Sequence, residues 1–199
     1  MTPNAPPAPT VKIADLHPFT PPAGNGLSPV SALRVAYSIP PNGGVRFVFA
    51  VEGRIQTLRL PVKDGPDAWP LWQHTCFEAF LSAPGEERYR EYNFSPAGLW
   101  AASAFKRYRV IDHELTQRAP PPAIETEQRN DALLLTAWLP PALLPPGGPA
   151  LRAGLSAVIE RGDGQLEYWA LHHPVAEHAD FHHQDGWTLH LDTRRTKHL

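Results

Sequence analysis

Four polar side chains stand where a period-two alternation makes them share one surface: His74, Glu78, Glu91 and Asn93. In residues 72–81, WQHTCFEAFL, Trp72, His74, Cys76, Glu78 and Phe80 point one way and Gln73, Thr75, Phe77, Ala79 and Leu81 the other. In the following run Tyr89, Glu91, Asn93 and Ser95 oppose Arg90, Tyr92 and Phe94. Sequential strands usually lie side by side, so with Phe77, Ala79, Tyr92 and Phe94 in a core, both glutamates, the asparagine and the histidine meet on the opposite face. Planar carboxylates and an amide there suit hydroxyl groups, and the rings of Trp69, Trp72, Trp100 or Tyr89 suit the apolar face of a saturated ring. The plain alternative is a solvated outer face closed by cross-strand ion pairs.

Arg107 and Arg109 alternate with Lys106 and Tyr108; they suit two parallel hydrogen bonds to a carboxylate or phosphate, and equally an internal pairing with Glu78 or Glu91. Two carboxylates on adjacent strands also match the acid and nucleophile of a glycosidase, but cross-strand neighbours reach that separation for trivial reasons. Cys76 sits two residues from His74 and Glu78, and a nearby carboxylate raises rather than lowers a thiol pKa, so a buried inert cysteine is the simpler reading. His172, His173, His178, His182, His183 and His190, with Asp180 among them, crowd the last third of the chain. Their spacing matches neither an HExxH helix nor a CxxC pair, and neighbouring histidines on a strand point opposite ways, so no metal is expected.

The elements that must position these residues are short strands. The chain has 199 residues, enough for one all-β domain, and its 24 prolines are more than twice the ordinary usage of about 5%. Proline ends strands and sets turns, which suits many short strands joined by stiff loops. Residues 33–37 and 45–51 alternate around PPNGG and read as a hairpin; residues 151–160 and 166–171 around RGDG read as another. Residues 10–14, 55–60, 99–108 and 133–139 are further strands, Trp187, Leu189 and Leu191 close as a last one, and residues 141–144 make a helical turn. Residues 110–128 read as a polar excursion over the surface. Nine or ten strands without intervening amphipathic helices predict an all-β fold, a single antiparallel β-sandwich over residues 10–199. Residues 1–9 form a Pro/Ala-rich tail with too little apolar bulk to order itself.

A formal charge of −2 argues against nucleic acid or an anionic membrane as partner. The single cysteine permits no internal disulfide, the start MTPNAPPAPT lacks the basic and apolar regions of a signal peptide, and no apolar run reaches membrane-spanning length. A cytoplasmic location is expected.

Three blocks carry a family likeness. CFEAFL, REYNFSPAGLWAASAFKRYR and EYWALHHPVAEHADFHHQDGW, in that order across residues 69–191, resemble the DOMON-like proteins of the family 9 carbohydrate-binding-module type, a bacterial group. The resemblance implies a jelly-roll-like sandwich and a non-catalytic module for a carbohydrate or related small polar ligand. Some relatives of the broader fold hold haem on Met and His; here the only methionine is Met1, so no cofactor is expected. The ligand-binding residues expected are Trp69, Trp72, His74, Glu78, Glu91, Asn93, Arg107 and Arg109, with no catalytic residue. Alternatives are a protein-interaction or metal- or haem-binding sandwich and, last, a hydrolase using Glu78 and Glu91.

Overall fold

A computed structural model describes residues 9–19, 27–65, 69–116 and 121–193. The expected tail, apart from Pro9, lies outside the described residues. Twelve strands follow in chain order: β1 (Lys12–Pro18), β2 (Val30–Ser38), β3 (Val45–Gly53), β4 (Cys76–Ser82), β5 (Tyr89–Phe94), β6 (Trp100–Arg107), β7 (Val110–Ile111), β8 (Ala123–Gln128), β9 (Ala132–Leu139), β10 (Ala150–Glu160), β11 (Leu166–Ala170) and β12 (Leu189–Asp192). Pairing runs β7-β6-β5-β4-β10-β11-β1-β2-β3-β9-β8, with β12 on the same edge of β10 as β11. Residues 12–16 of β1 pair with β2, and His17 and Pro18 pair with β11. This one strand therefore joins two halves of the sheet, which fold over each other as an antiparallel, jelly-roll-like sandwich.

The alternation dictates what fills the space between the layers. Val45, Phe47, Phe49 and Val51 of β3 and Leu133, Leu135, Ala137 and Leu139 of β9 face Phe77, Ala79 and Leu81 of β4, Tyr92 and Phe94 of β5, and Leu155, Ala157 and Ile159 of β10. Phe49 spans the gap, its ring 5.1 Å from Phe77 and 6.5 Å from Phe94. Each such buried side chain contributes roughly 1.5–3 kcal/mol of burial. The β2–β3 hairpin needs glycine at its turn: Gly43 and Gly44 have φ of 83° and 80°, and a Cβ on Gly44 would meet the Leu139 carbonyl oxygen at 2.1 Å.

Three expectations are corrected. Residues 55–60 are not a strand: Ile55–Thr57 form a 3-10 turn, and only Leu58 bridges, to Arg161. Buried Ile55 plugs the sandwich end, and the Thr57 side chain closes the turn by donating to the Arg54 carbonyl at 2.7 Å. The run 72–81 enters the sheet later than its alternation suggests, because Leu71–Gln73 make another 3-10 turn and pairing starts at Cys76. The excursion 110–128 contains β7, a helical turn His113–Thr116 and the edge strand β8. One face of β8 carries Glu125 and Glu127 into water, so its hydrophobic alternation is weak, as suits an edge.

Candidate functional site

The outward face of β4, β5, β6 and β10 is not bare. A second aromatic cluster of Phe80, Tyr89, Phe105 and Trp187 covers one end of it, with Phe181 packed alongside. Tyr89 and Phe105, directly paired across β5 and β6, stack at 4.6 Å with an interplanar angle of 6°. Trp187 stacks on Phe80 at 5.8 Å and donates from Nε1 to the Phe181 carbonyl at 2.9 Å. That bond anchors the histidine-rich loop between β11 and β12 over the sheet.

Between loop and sheet lies a hollow of about 400 Å³. Glu78, Glu91, Ser103 and Val158, from β4, β5, β6 and β10, line it from the sheet. Trp72, Phe105, Tyr168 and Phe181 contribute rings, and Arg109, Ile111, Ala179 and His182 complete it. A larger groove of about 1000 Å³ lies where β1 meets β11, but its rim residues Phe19 and Leu27 flank residues 20–26, outside the described chain. The hollow over β4 and β5 is the one that gathers the sequence-expected Trp72, Glu78, Glu91 and Arg109.

Each carboxylate has a defined setting. Glu78 accepts one hydrogen bond, from the Ser156 hydroxyl to Oε2 at 3.2 Å, the two residues being register partners across β4 and β10. Burial, and next the charge of Glu91, push its carboxyl up to about 8, against the Ser156 hydrogen bond and the more distant Arg109. Glu91 accepts from the Asn93 amide at 2.7 Å through Oε1, while its Oε2 stands 3.8 Å from His182 Nε2. Burial raises the Glu91 carboxyl as well, with Asn93 and Arg109 opposing. Neither glutamate is paired with a lysine or arginine among the described residues.

The roof has its own polar lock. Asp180 accepts from Tyr108 Oη at 2.7 Å, from the Arg109 guanidinium at 2.9 Å and from the His182 backbone N–H at 3.2 Å. Burial pushes the Asp180 carboxyl up, and the hydrogen bonds from Tyr108 and Arg109 more than offset it, leaving it below its ordinary value. The expected internal pairing of Arg109 with Glu78 or Glu91 is thus corrected: its partner is Asp180. Tyr108 and Arg109 form the two-residue loop between β6 and β7, and Arg109 has the left-handed φ of 54° that so tight a reversal demands. Burial, then the Arg109 charge, hold His182 down at about 4, so it is neutral at ordinary pH.

Of the eight residues expected from the sequence, the fold brings Trp72, Glu78, Glu91 and Arg109 into the hollow. Asn93 is buried behind it, donating to Glu91 and lying 3.6 Å from the Cys76 thiol. His74 is drawn away by Glu160: their Nδ1 and Oε2 atoms are 2.8 Å apart, and Arg59 reaches the other Glu160 oxygen at 3.2 Å. Trp69 is exposed without lining the hollow. Arg107 is exposed as well, because an irregularity between Phe105 and Arg107 in the pairing with β7 breaks the alternation there. Burial and the Glu78 charge push the Cys76 thiol well up, the reverse of nucleophile activation. Sequence reasoning missed Ser103, Phe105, Tyr168, Phe181 and His182. For Phe181 and His182 the signal is a ring-rich, histidine-rich loop held at both ends by strands; Ser103, Phe105 and Tyr168 stand on β6 and β11 and come to the hollow only through strand pairing and the fold of the loop.

Comparisons agree with this architecture. No family model matches the chain, and no curated protein sequence does. Solved structures do. A proposed carbohydrate-binding protein from Bacteroides uniformis aligns over 89% of this chain and 84% of its own, at 14% identity and a TM-score of 0.55. A family 9 carbohydrate-binding module from Caldicellulosiruptor kristjanssonii, in complex with cellotriose, aligns over 79% of this chain and 73% of its own, at 8% identity and a TM-score of 0.52. The chain thus has a carbohydrate-binding-module-like fold.

Proposed function

We propose that this protein is a non-catalytic binding module that seats a sugar or a related small polar ligand in the hollow beneath the histidine-rich loop. The observation that carries this reading is the meeting of two buried carboxylates with four aromatic side chains in one volume of about 400 Å³, at the low end of small-molecule sites. Trp72, half exposed, supplies a ring to stack on, and Glu78 and Glu91 supply acceptors for hydroxyls. The fold shared with a module solved with cellotriose supports the same class of ligand.

The hydrolase alternative is less well served by the geometry. Its one support is that Glu78 and Glu91 stand on the same face of neighbouring strands, a juxtaposition that cross-strand neighbours reach without any catalytic role. A glycan array followed by calorimetric titration of the full chain tests the proposal. Saccharide binding that Trp72→Ala weakens by about tenfold, about 1.4 kcal/mol, with no hydrolysis of aryl glycosides, is the expected result. Turnover of such glycosides that Glu78→Gln abolishes sinks it.

A further inference from the structure

The two carboxyl groups that line the hollow each leave one oxygen without a hydrogen bond among the described residues. Glu78 is almost wholly buried, and while its Oε2 accepts from Ser156, its Oε1 accepts no hydrogen bond among the described residues although the side chain lines the hollow. Glu91 has one oxygen satisfied by Asn93 and the other no nearer than 3.8 Å to His182. The arginine that lines the hollow gives its guanidinium to Asp180 and the Tyr108 hydroxyl. His182 brings no second positive charge: its Nδ1 stands 2.8 Å from the Tyr89 hydroxyl, which also accepts the Arg109 backbone N–H at 3.0 Å, and burial holds the ring neutral at ordinary pH.

We propose that the ligand carries an ammonium group, as an amino sugar does, and that its charged nitrogen lies between Glu78 and Glu91; this rests on the reading of the hollow as a ligand seat. Hydroxyl groups satisfy carboxylate oxygens but supply no charge, and a buried carboxylate without a cation takes up a proton instead. An ammonium has three donors, which match the open Oε1 of Glu78, the far oxygen of Glu91 and the Ser103 hydroxyl. Trp72, Tyr168 and Phe181 line the same hollow with rings able to attract a cation and to cover the sugar's carbon skeleton. In the empty protein at mildly acidic pH Glu78 holds its proton. An ammonium entering beside it stabilises the ionised form, so binding transfers that proton to the buffer.

The test is calorimetric titration of the full chain at pH 6.5 with the dimer of glucosamine, its N-acetylated form and cellobiose, in two buffers of different ionisation enthalpy. The glucosamine dimer is expected to bind about tenfold more tightly than either neutral dimer, with release of roughly one proton. In Glu78→Gln, checked for an unchanged fold by circular dichroism, the preference and the proton release should both vanish. Equal or tighter binding of a neutral dimer overturns the ammonium assignment and leaves the sugar reading standing. Failure of all three dimers to bind overturns both.

Discussion

The Tyr89 hydroxyl and His182 Nδ1 stand 2.8 Å apart and tie the histidine-rich loop to the middle of the sheet it covers. The ring of His182 also meets Phe80 and Phe105 edge-on, at 5.1 and 5.2 Å, so the loop rests on the aromatic cluster and this polar contact adds to those of Asp180. Whatever enters the hollow does so beneath this latch.

Tyr89→Phe keeps the ring stack and removes only the hydroxyl, leaving His182 Nδ1 and the Arg109 N–H without partners. A loss of about 1–3 kcal/mol is expected in urea unfolding, together with faster amide exchange in residues 179–183. Nitrogen shifts of His182 in the parent protein should show Nδ1 unprotonated. Unchanged stability, or a proton on Nδ1, would show that the latch is misread.

Stability should depend on pH through two of the groups that burial displaces, Glu78 and His182. The Glu78 carboxyl, ordinarily near 4.5, is pushed up to about 8, so between those values the folded chain keeps a proton that the unfolded chain has lost. Its contribution is fully present below pH 4.5 and lost as pH rises through about 8. Glu78→Gln cannot ionise, so its Tm should differ little from the parent at pH 5 and exceed it at pH 8.5. His182, ordinarily near 6.5 and held down at about 4, acts in the opposite sense: its contribution is present above pH 6.5 and lost as pH falls to about 4. Melting curves from pH 4 to 9 check both limbs. A gap between Glu78→Gln and parent that is the same at every pH contradicts the assignment.

Gly154 lets Trp187 reach the sheet. A Cβ there would lie 2.1 Å from the indole Cδ1, so Gly154→Ala must expel or tilt a fully buried tryptophan. Overpacking of this kind costs about 1–3 kcal/mol. The accompanying sign should be a red shift of tryptophan fluorescence as Trp187 meets water. A variant as stable as the parent, with unshifted emission, would mean that the loop seats elsewhere.

The two arginines flanking Tyr108 should behave differently. Arg109→Ala strands the buried Asp180 carboxylate and is expected to cost about 1.5–3 kcal/mol, with quicker proteolysis of the histidine-rich loop. Arg107→Ala, at an exposed position outside the hollow, should stay within about 0.5 kcal/mol of the parent and leave saccharide binding intact. Equal effects of both substitutions in denaturation and limited proteolysis would remove the Arg109–Asp180 pair from its role as anchor.

Much of this molecule follows from alternation alone. The two-layer all-β architecture, both long hairpins and the facing of Glu78 and Glu91 away from Phe77, Ala79, Tyr92 and Phe94 are consequences of a side-chain period of two and of proline and glycine placement, which act between near neighbours in the chain. Tertiary structure alone decided what lies over that face. Asp180 captures Arg109 from 71 residues away and Glu160 captures His74 from 86, choices that depend on which loop folds back over which strand. The same return of the chain brings Tyr168, Phe181 and His182 to the carboxylates and turns an outer sheet face into a hollow. Period two specifies the side of a strand on which a residue stands; the partner it meets there is set by the packing of segments remote in sequence.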